Sequence, residues 1–203
     1  MAPALKTNAA QFRLALARHR RTEVFHWTPA SQLPSILEHG ILCRCELERR
    51  GIPYIQHGYG RAGKEQDFAG HVCVSFYPQK GMMKSETGAL AVLVIDSDVV
   101  ITDGSFYCPQ NTAKSEYEFD ELVSRSSVDH LDELFMRPNE WELIDWQAEV
   151  WIPDGIVVNH FREIWFRNKA ERDQAVDACS GLASGLPRTL RFGVGPKWAF
   201  PSS

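Results

Sequence analysis

A carboxylate in the middle of a predicted strand is the first group in this sequence that could do chemistry. The stretch Trp146–Pro153 alternates apolar residues with others, which predicts a short β-strand with Glu149 near its centre. A carboxylate among bulky aromatic side chains can stabilise a positive charge that develops in a transition state. A charged residue on a half-buried strand is more often solvated, so both interpretations of Glu149 stay open at this point.

A histidine and a threonine form a second candidate site. Residues 23–28 have a compact strand pattern, and His26 and Thr28 lie two positions apart within it. Their side chains therefore share one face of the strand. An imidazole and a hydroxyl there could hydrogen-bond the hydroxyl groups of a ligand. A lone buried histidine is more often a satisfied core residue, and it is the pairing with Thr28 that favours a ligand site.

Basic side chains are concentrated between residues 43 and 70. The segment is polar, rich in glycine and without an apolar period, so it is predicted to be a long loop. Loops of this length in a compact domain are often functional, although surface loops are also commonly mobile. A substrate-binding loop and a mobile surface loop therefore both remain open. The basic residues that would meet a nucleic acid here are Arg49, Arg61 and Lys64.

The composition fits one well-cored domain and argues against several protein classes. The 203 residues are 44% hydrophobic and 24% charged, which supplies enough apolar material for one core. With a net charge of -4, any nucleic-acid site must be a local basic patch. The five cysteines contain no C-x-x-C pair, so neither a disulfide framework nor a zinc module is indicated, and a reducing cytoplasm fits best. No apolar run reaches transmembrane length, and no metal is expected.

Short strands and a few helices would position these residues. A helix is predicted over residues 8–20, and a second one runs from an N-cap at Ser31 to a glycine C-cap at Gly40. The regular βαβ alternation of a doubly wound sheet is missing, so the chain is predicted to be an α+β domain. The other predicted elements are strands at 71–77, 89–96, 99–102, 106–107, 156–158, 164–166 and 190–194, partly helical connections over 113–145, and a helix at 169–179.

Motifs in chain order carry a family resemblance. Phe25–Thr28 with Gln32–Leu42 resembles a His-x-Thr element followed by an Asn-Leu-x-x-Ile-Leu helix, and Glu48–Arg50 resembles a Glu-Arg-Arg loop with an essential arginine. Val74–Pro78 resembles a Phe-Tyr-Phe-x-Pro motif, and Gln147–Ile152 resembles a strand that carries a catalytic glutamate. All of these motifs are similar to those of the DarT family, NAD-dependent ADP-ribosyltransferase toxins that modify DNA bases.

The resemblance implies a function and a set of site residues. It implies an ADP-ribosyltransferase-like fold, with short strands around a central cleft, in a single domain over residues 1–203. An N-terminal helical part would span 1–22 and a substrate or NAD loop 43–70. Glu149 and Arg50 would be catalytic, NAD the substrate that donates ADP-ribose, and a base of single-stranded DNA the acceptor. The residues expected to contact NAD are His26, Thr28, Gln32, Leu33, Gly40, Phe76 and Tyr77.

The partners and the alternatives follow from the same resemblance. A toxin of this kind would work in the cytoplasm, as part of a toxin–antitoxin or phage-defence system, with an antitoxin protein as a further partner. One alternative keeps the site but makes RNA or protein the acceptor. Another is a non-catalytic module that binds NAD or nucleic acid.

Overall fold

The computed structural model describes residues 4–55, 67–78, 88–112, 115–135, 145 and 147–196. Strands and helices alternate irregularly along these residues. The strands are β1 Glu23–Pro29, β2 Ile41–Leu42, β3 His71–Ser75, β4 Leu90–Asp96, β5 Phe106–Cys108, β6 Glu149–Pro153, β7 Gly155–Ile156, β8 Phe161–Phe166 and β9 Arg191–Val194. The helices are α1 Ala9–Arg18, α2 Leu33–His39, α3 Arg44–Arg50, α4 Phe119–Ser124, α5 Val128–Glu133 and α6 Lys169–Ala178, with 3-10 turns at Ala30–Gln32, Ser97–Ile101, Val158–His160 and Ser180–Gly185.

A seven-stranded mixed sheet is the framework of the fold. Its strand order is β5-β6-β3-β1-β4-β8-β9, and β2 and β7 form a separate two-stranded sheet. The pairs are antiparallel except for β8 with β9, which is parallel. The predicted α+β class is confirmed by this architecture.

The main core lies on the face of the sheet against which α1, α2, α5 and α6 pack. β4 is buried from Leu90 to Ile95, as its continuous apolar run predicts. Phe12 and Leu16 of α1 pack in the same cluster as Leu93 of β4. Each large apolar side chain buried here contributes about 1.5–3 kcal/mol to folding. The opposite face carries two smaller clusters, one around Phe25, Val92 and Val94 and one around Phe68, Phe106, Cys108, Leu122 and Trp151.

The two halves of the sheet meet at a narrow seam between β1 and β3. β1 pairs with β4 over its whole length, from Glu23 to Pro29. With β3 it has a single registered pair, Phe25 with Ser75. Beyond that pair, the two strands are linked through the ring of His26, whose Nδ1 lies 2.9 Å from the carbonyl oxygen of Cys73. The seam is thus a place where side chains, rather than a backbone ladder, connect two strands.

Three predictions about local structure were wrong. The segment after residue 43 begins as the helix α3, which has no buried residue, so an apolar stripe was never present to reveal it. Residues 97–101 form a 3-10 turn instead of a strand. Ser31 lies in a 3-10 turn and does not cap α2, which begins at Leu33 with a proline in its first turn.

The end of α2 follows the prediction in one respect and departs from it in another. Gly40 has φ 84°, and its N–H donates to the carbonyl of Ile36 at 2.8 Å, so glycine does end the helix. Its ψ is 178°, however, which is outside the left-handed helical region that we predicted. A Cβ at this position would lie 2.5 Å from the carbonyl oxygen of Ile156, so the close approach of the two-stranded sheet also requires glycine.

Candidate active site

Glu149 is a buried carboxylate between two strands. It is the first residue of β6, opposite Ser75 of β3 and Cys108 of β5. Only 1% of its surface is exposed, so the interpretation as a solvated residue is wrong. Gln147 and Ala148 are not part of the strand, so Glu149 starts β6 instead of occupying its centre as predicted. The expected strand residue Trp146 lies outside the described residues. The neighbouring Val150 and Trp151 are also buried, because both faces of β6 are covered.

The carboxylate of Glu149 is held by hydrogen bonds from neutral donors. The backbone N–H of Thr112 donates to Oε2 at 3.0 Å, and the Thr112 hydroxyl donates to the same oxygen. The thiol of Cys73 also donates to this group. Because a buried carboxyl group needs partners for its oxygens, these donors are what allow Glu149 to sit inside the protein.

Burial sets the proton affinity of this carboxyl group. Desolvation raises the pKa of Glu149 from 4.5 to about 7, and the hydrogen bonds from Thr112 and Cys73 partly oppose that rise. A carboxyl group that titrates near neutrality suits proton transfer and charge stabilisation in an active site. The group is therefore chemically distinct from an ordinary surface glutamate.

Two thiols flank Glu149 on the same face of the sheet. Burial raises the pKa of Cys73 well above its usual range and that of Cys108 to about 11. Both thiols consequently stay protonated at neutral pH, and neither is an activated nucleophile. Next to them, Trp151 packs against Phe68 with ring centroids 4.4 Å apart. Glu149 thus sits in a low-dielectric environment made of thiols and aromatic rings.

His26 and Thr28 approach the seam from the other face of the sheet. Residues paired across neighbouring strands point to the same face of a sheet. His26 is paired with Leu93, which faces the main core. Glu149 is paired with Ser75 and Ser75 with Phe25, which faces the other side. The carbonyl of Cys73 only accepts, so the Nδ1 of His26 carries the proton. Two strand spacings, about 10 Å, separate β6 from β1. Thr28 is buried at the far end of β1.

The other residues predicted to contact NAD differ in how exposed their side chains are. Leu33 is fully buried and Gly40 is also buried, whereas Gln32 is half-buried in the 3-10 turn after β1. Phe76 is 1% exposed and packs edge-on against Phe135 with ring centroids 5.1 Å apart. Tyr77 is 42% exposed. The predicted packing on nicotinamide therefore rests on Tyr77, since Phe76 is occupied in the core.

The predicted arginines form ion pairs within α3. Arg49 and Arg50 contact the carboxylate of Glu46 at 2.6 and 2.5 Å, and their hydrogen bonds lower the pKa of Glu46 to about 2. The Cys45 N–H donates to the Ala69 carbonyl at 3.0 Å. This bond ties the start of α3 to the residues just before β3, which is the end of the strand far from Ser75. Among the described residues, Arg50 pairs with Glu46, and no hydrogen bond or ion pair there joins it to Glu149. Arg61 and Lys64 lie outside the described residues.

Thr112 is the site residue that sequence reasoning missed. It belongs to no motif and lies in a turn 37 positions before Glu149. The only signal was indirect: a buried carboxylate requires donors, and a hydroxyl residue close after a strand that neighbours the glutamate is one candidate. Nothing in the sequence distinguished Thr112 from the other hydroxyl residues.

The comparison with protein families decides the family. The model of the family described as "ssDNA thymidine ADP-ribosyltransferase, DarT" matches residues 25–198. The chain belongs to the DarT family. Members of this family are NAD-dependent enzymes that transfer ADP-ribose to single-stranded DNA, and the family prediction made from the motifs is confirmed. No curated protein matches the chain significantly.

Solved DarT structures share the fold of this chain. Thermosipho africanus DarTG in complex with ADP-ribose is 17% identical with a TM-score of 0.60, and the match covers 88% of this chain and 51% of that one. Thermus sp. 2.9 DarT in complex with NAD+ is 15% identical with a TM-score of 0.57, covering 88% and 97% of the two chains. The same Thermus protein in complex with ADP-ribosylated ssDNA is 15% identical with a TM-score of 0.59. That match covers 88% of this chain and 96% of the Thermus chain. This DarT member therefore spans about half the length of the Thermosipho chain.

The described residues contain neither a candidate metal site nor a candidate membrane-spanning helix. No group of three or more His, Cys, Asp or Glu side chains there is placed to hold a metal ion. No helix in the described part of this DarT member is long and apolar enough to cross a membrane.

Proposed function

We propose that this DarT member transfers ADP-ribose from NAD to a thymine base of single-stranded DNA. The observation that carries the proposal is Glu149, a buried carboxylate held by hydrogen bonds beside the seam of the sheet. Its place in a chain of the DarT family assigns the carboxylate to ADP-ribosyl transfer. Cytoplasmic action as a toxin, with an antitoxin partner that reverses the modification, is part of the same proposal.

The proposed chemistry begins with the bond between nicotinamide and ribose. Nicotinamide leaves with the bonding electron pair, and the ribose carbon acquires positive charge, as in glycoside hydrolysis. Glu149 accepts a hydrogen bond from the ribose 2′-hydroxyl and stabilises that charge. The stabilisation is large because the carboxylate is buried among thiols and aromatic rings, where the effective dielectric is low. The base nitrogen then bonds to the ribose carbon and gives up its proton.

The protonation state of Glu149 matters for both steps. Only the ionised carboxylate stabilises the positive charge or accepts the proton of the base. With a pKa of about 7, the ionised fraction rises as the pH passes through neutrality. The acceptor base must be unpaired, because its nitrogen has to reach the ribose carbon inside the site.

The other predicted residues take supporting roles. We assign His26 and Thr28, which reach the seam from the other face of the sheet, to hydroxyl groups of NAD other than the one that Glu149 binds. Tyr77 is assigned to the nicotinamide ring, since its exposed aromatic group suits that partner. Gln32, with the backbone at Leu33 and Gly40, would line the NAD site next to β1.

The basic residues are assigned to phosphates and to DNA. Arg50 would exchange its partner Glu46 for a phosphate or for the acceptor strand when substrates bind. Arg49, Arg61 and Lys64 would contact the DNA backbone. With a net charge of -4, the protein is not suited to tight binding of duplex DNA, which agrees with a single-stranded acceptor.

The experiment is intact-mass spectrometry of short oligonucleotides incubated with the protein and NAD. Single-stranded DNA with and without thymine, and RNA of matched sequence, are compared. Glu149→Gln is the matched variant, because it keeps the size of the side chain and removes its charge. A mass gain of one ADP-ribose, confined to thymine-containing DNA and to the wild type, supports the proposal.

Other outcomes replace the proposal with a named alternative. A mass gain on RNA alone makes RNA the acceptor. Consumption of NAD without any labelled oligonucleotide indicates a protein acceptor or hydrolysis of NAD. NAD binding without release of nicotinamide indicates a non-catalytic module.

A further inference from the structure

We propose that Thr112 is a positioning residue, which fixes the orientation of the Glu149 carboxylate. Its backbone N–H and its hydroxyl both donate to Oε2, so that oxygen is saturated by one residue. Holding Oε2 in place also fixes the direction of Oε1, the oxygen that would turn toward the ribose hydroxyl when NAD binds. This inference rests on the proposed role of Glu149. It adds the residue that sets the direction in which the carboxylate oxygens point.

The position of Thr112 makes such a contact rigid. Thr112 is buried, and it follows β5, whose last residue Cys108 is the cross-strand neighbour of Glu149. The Thr112 carbonyl accepts a hydrogen bond from the N–H of Ser115 at 3.2 Å. The backbone N–H of Thr112 ties this residue to β6, and the hydroxyl adds a second contact from the same residue.

The terminal torsion of a glutamate explains why one residue has to hold it. Rotation of the carboxylate about its last bond is only weakly restricted, so burial alone does not fix which way the two oxygens point. Two donors from one buried residue, converging on one oxygen, remove this freedom. Small errors in the placement of a reacting group can cost about 100-fold in rate, which is why the orientation affects turnover.

The side chains that face Glu149 are neutral, so the effect of Thr112 on the pKa of Glu149 can be measured without a competing charged partner. Cys73 faces the carboxylate from β3, Cys108 from β5, and Trp151 from the same strand. The charge of Arg125 acts on Cys108. Removing the Thr112 hydroxyl withdraws a hydrogen bond from the ionised carboxylate and leaves those groups in place, so the pKa of Glu149 should rise.

Two substitutions of Thr112 separate the hydroxyl from the shape of the side chain. Thr112→Val keeps the branched shape and the backbone N–H but loses the hydroxyl donor. Thr112→Ser keeps the donor and loses a methyl group. We expect Thr112→Val to lower kcat for transfer to single-stranded DNA by about 10- to 100-fold, with KM for NAD changed by less than about threefold. Thr112→Ser should retain most of the wild-type kcat.

A second readout needs neither NAD nor DNA. The carboxyl carbon of Glu149 can be followed by NMR in protein labelled with ¹³C-glutamate, with Glu149→Gln identifying the signal. We expect Thr112→Val to shift the titration midpoint of this signal to higher pH and Thr112→Ser to restore it. A purely structural role would lower the Tm of both variants without moving the midpoint.

The outcomes separate this inference from the proposed function. Unchanged kcat and an unchanged Glu149 midpoint in Thr112→Val overturn the inference, even if Glu149→Gln is inactive. Equal loss of kcat in both Thr112 variants also overturns it, since the donor would then be irrelevant. If the wild type transfers nothing, the proposed function fails, and Thr112 then has no role in transfer. The NMR titration still shows in that case whether Thr112 holds the carboxylate of Glu149.

Discussion

Replacing Glu149 by glutamine should change how the stability of the protein depends on pH. In the folded protein the pKa of Glu149 is raised from 4.5 to about 7, chiefly by desolvation. An acid with a raised pKa binds its proton more tightly in the folded than in the unfolded chain, so the free energy of unfolding falls as the pH rises between these two values. Above about pH 7 the folded protein carries the full cost of a buried carboxylate.

The size of this effect follows from the shift. Each pKa unit corresponds to about 1.4 kcal/mol, so a rise of roughly 2.5 units corresponds to about 3 kcal/mol lost between pH 5 and pH 8. For a chain of this size, that is on the order of 10 °C in Tm. Glutamine cannot ionise, so Glu149→Gln should be spared this loss. The gap between variant and wild type should therefore widen by about 3 kcal/mol in favour of the variant as the pH rises to 8.

Urea unfolding at pH 5 and pH 8 measures the effect. All other groups are the same in the two proteins, so the difference between their pH profiles isolates Glu149. Glu38→Gln, which removes an exposed carboxylate, is the matched control and should follow the wild type. Parallel pH profiles for wild type and Glu149→Gln would refute the reasoning, because they would mean that Glu149 is ionised in the folded protein at no cost.

Three further predictions concern the geometry around the site. Gly40→Ala should destabilise the fold by more than about 1 kcal/mol in urea unfolding, since a Cβ there would lie 2.5 Å from a backbone oxygen and φ is 84°; an unchanged midpoint would contradict the close approach. Tyr77→Ala should raise KM for NAD with little change in Tm, whereas Phe76→Ala should cost about 3–5 kcal/mol of stability; the reverse pattern would exchange their roles. Arg50→Ala should keep NAD binding, measured by calorimetry, but weaken transfer to DNA, with Arg13→Ala, which removes an exposed arginine of α1, as the control; full activity of Arg50→Ala would move the role to another arginine.

Several parts of this protein could be predicted from the sequence because they depend on local patterns. Alternation of apolar residues gave the strands around His26, Val74 and Ile164, and a continuous apolar run gave the central strand β4. The helix α3 was missed for the same reason. Glu46 pairs with the arginines that follow it at positions i+3 and i+4, which supports the helix modestly. A charged helix without a buried face has the sequence pattern of a loop.

In the candidate site, too, local patterns could be predicted from the sequence and long-range contacts could not. The sequence by itself determined the family and singled out Glu149, His26 and Thr28, because those residue types recur at fixed positions in short motifs. Only the tertiary structure decided that Glu149 is buried, that Phe76 belongs to the core while Tyr77 is exposed, and that Thr112 holds the carboxylate. These properties depend on contacts between residues far apart in the chain, 37 positions for Thr112 and Glu149. Such contacts are set by strand register and packing, which no local pattern in the sequence specifies.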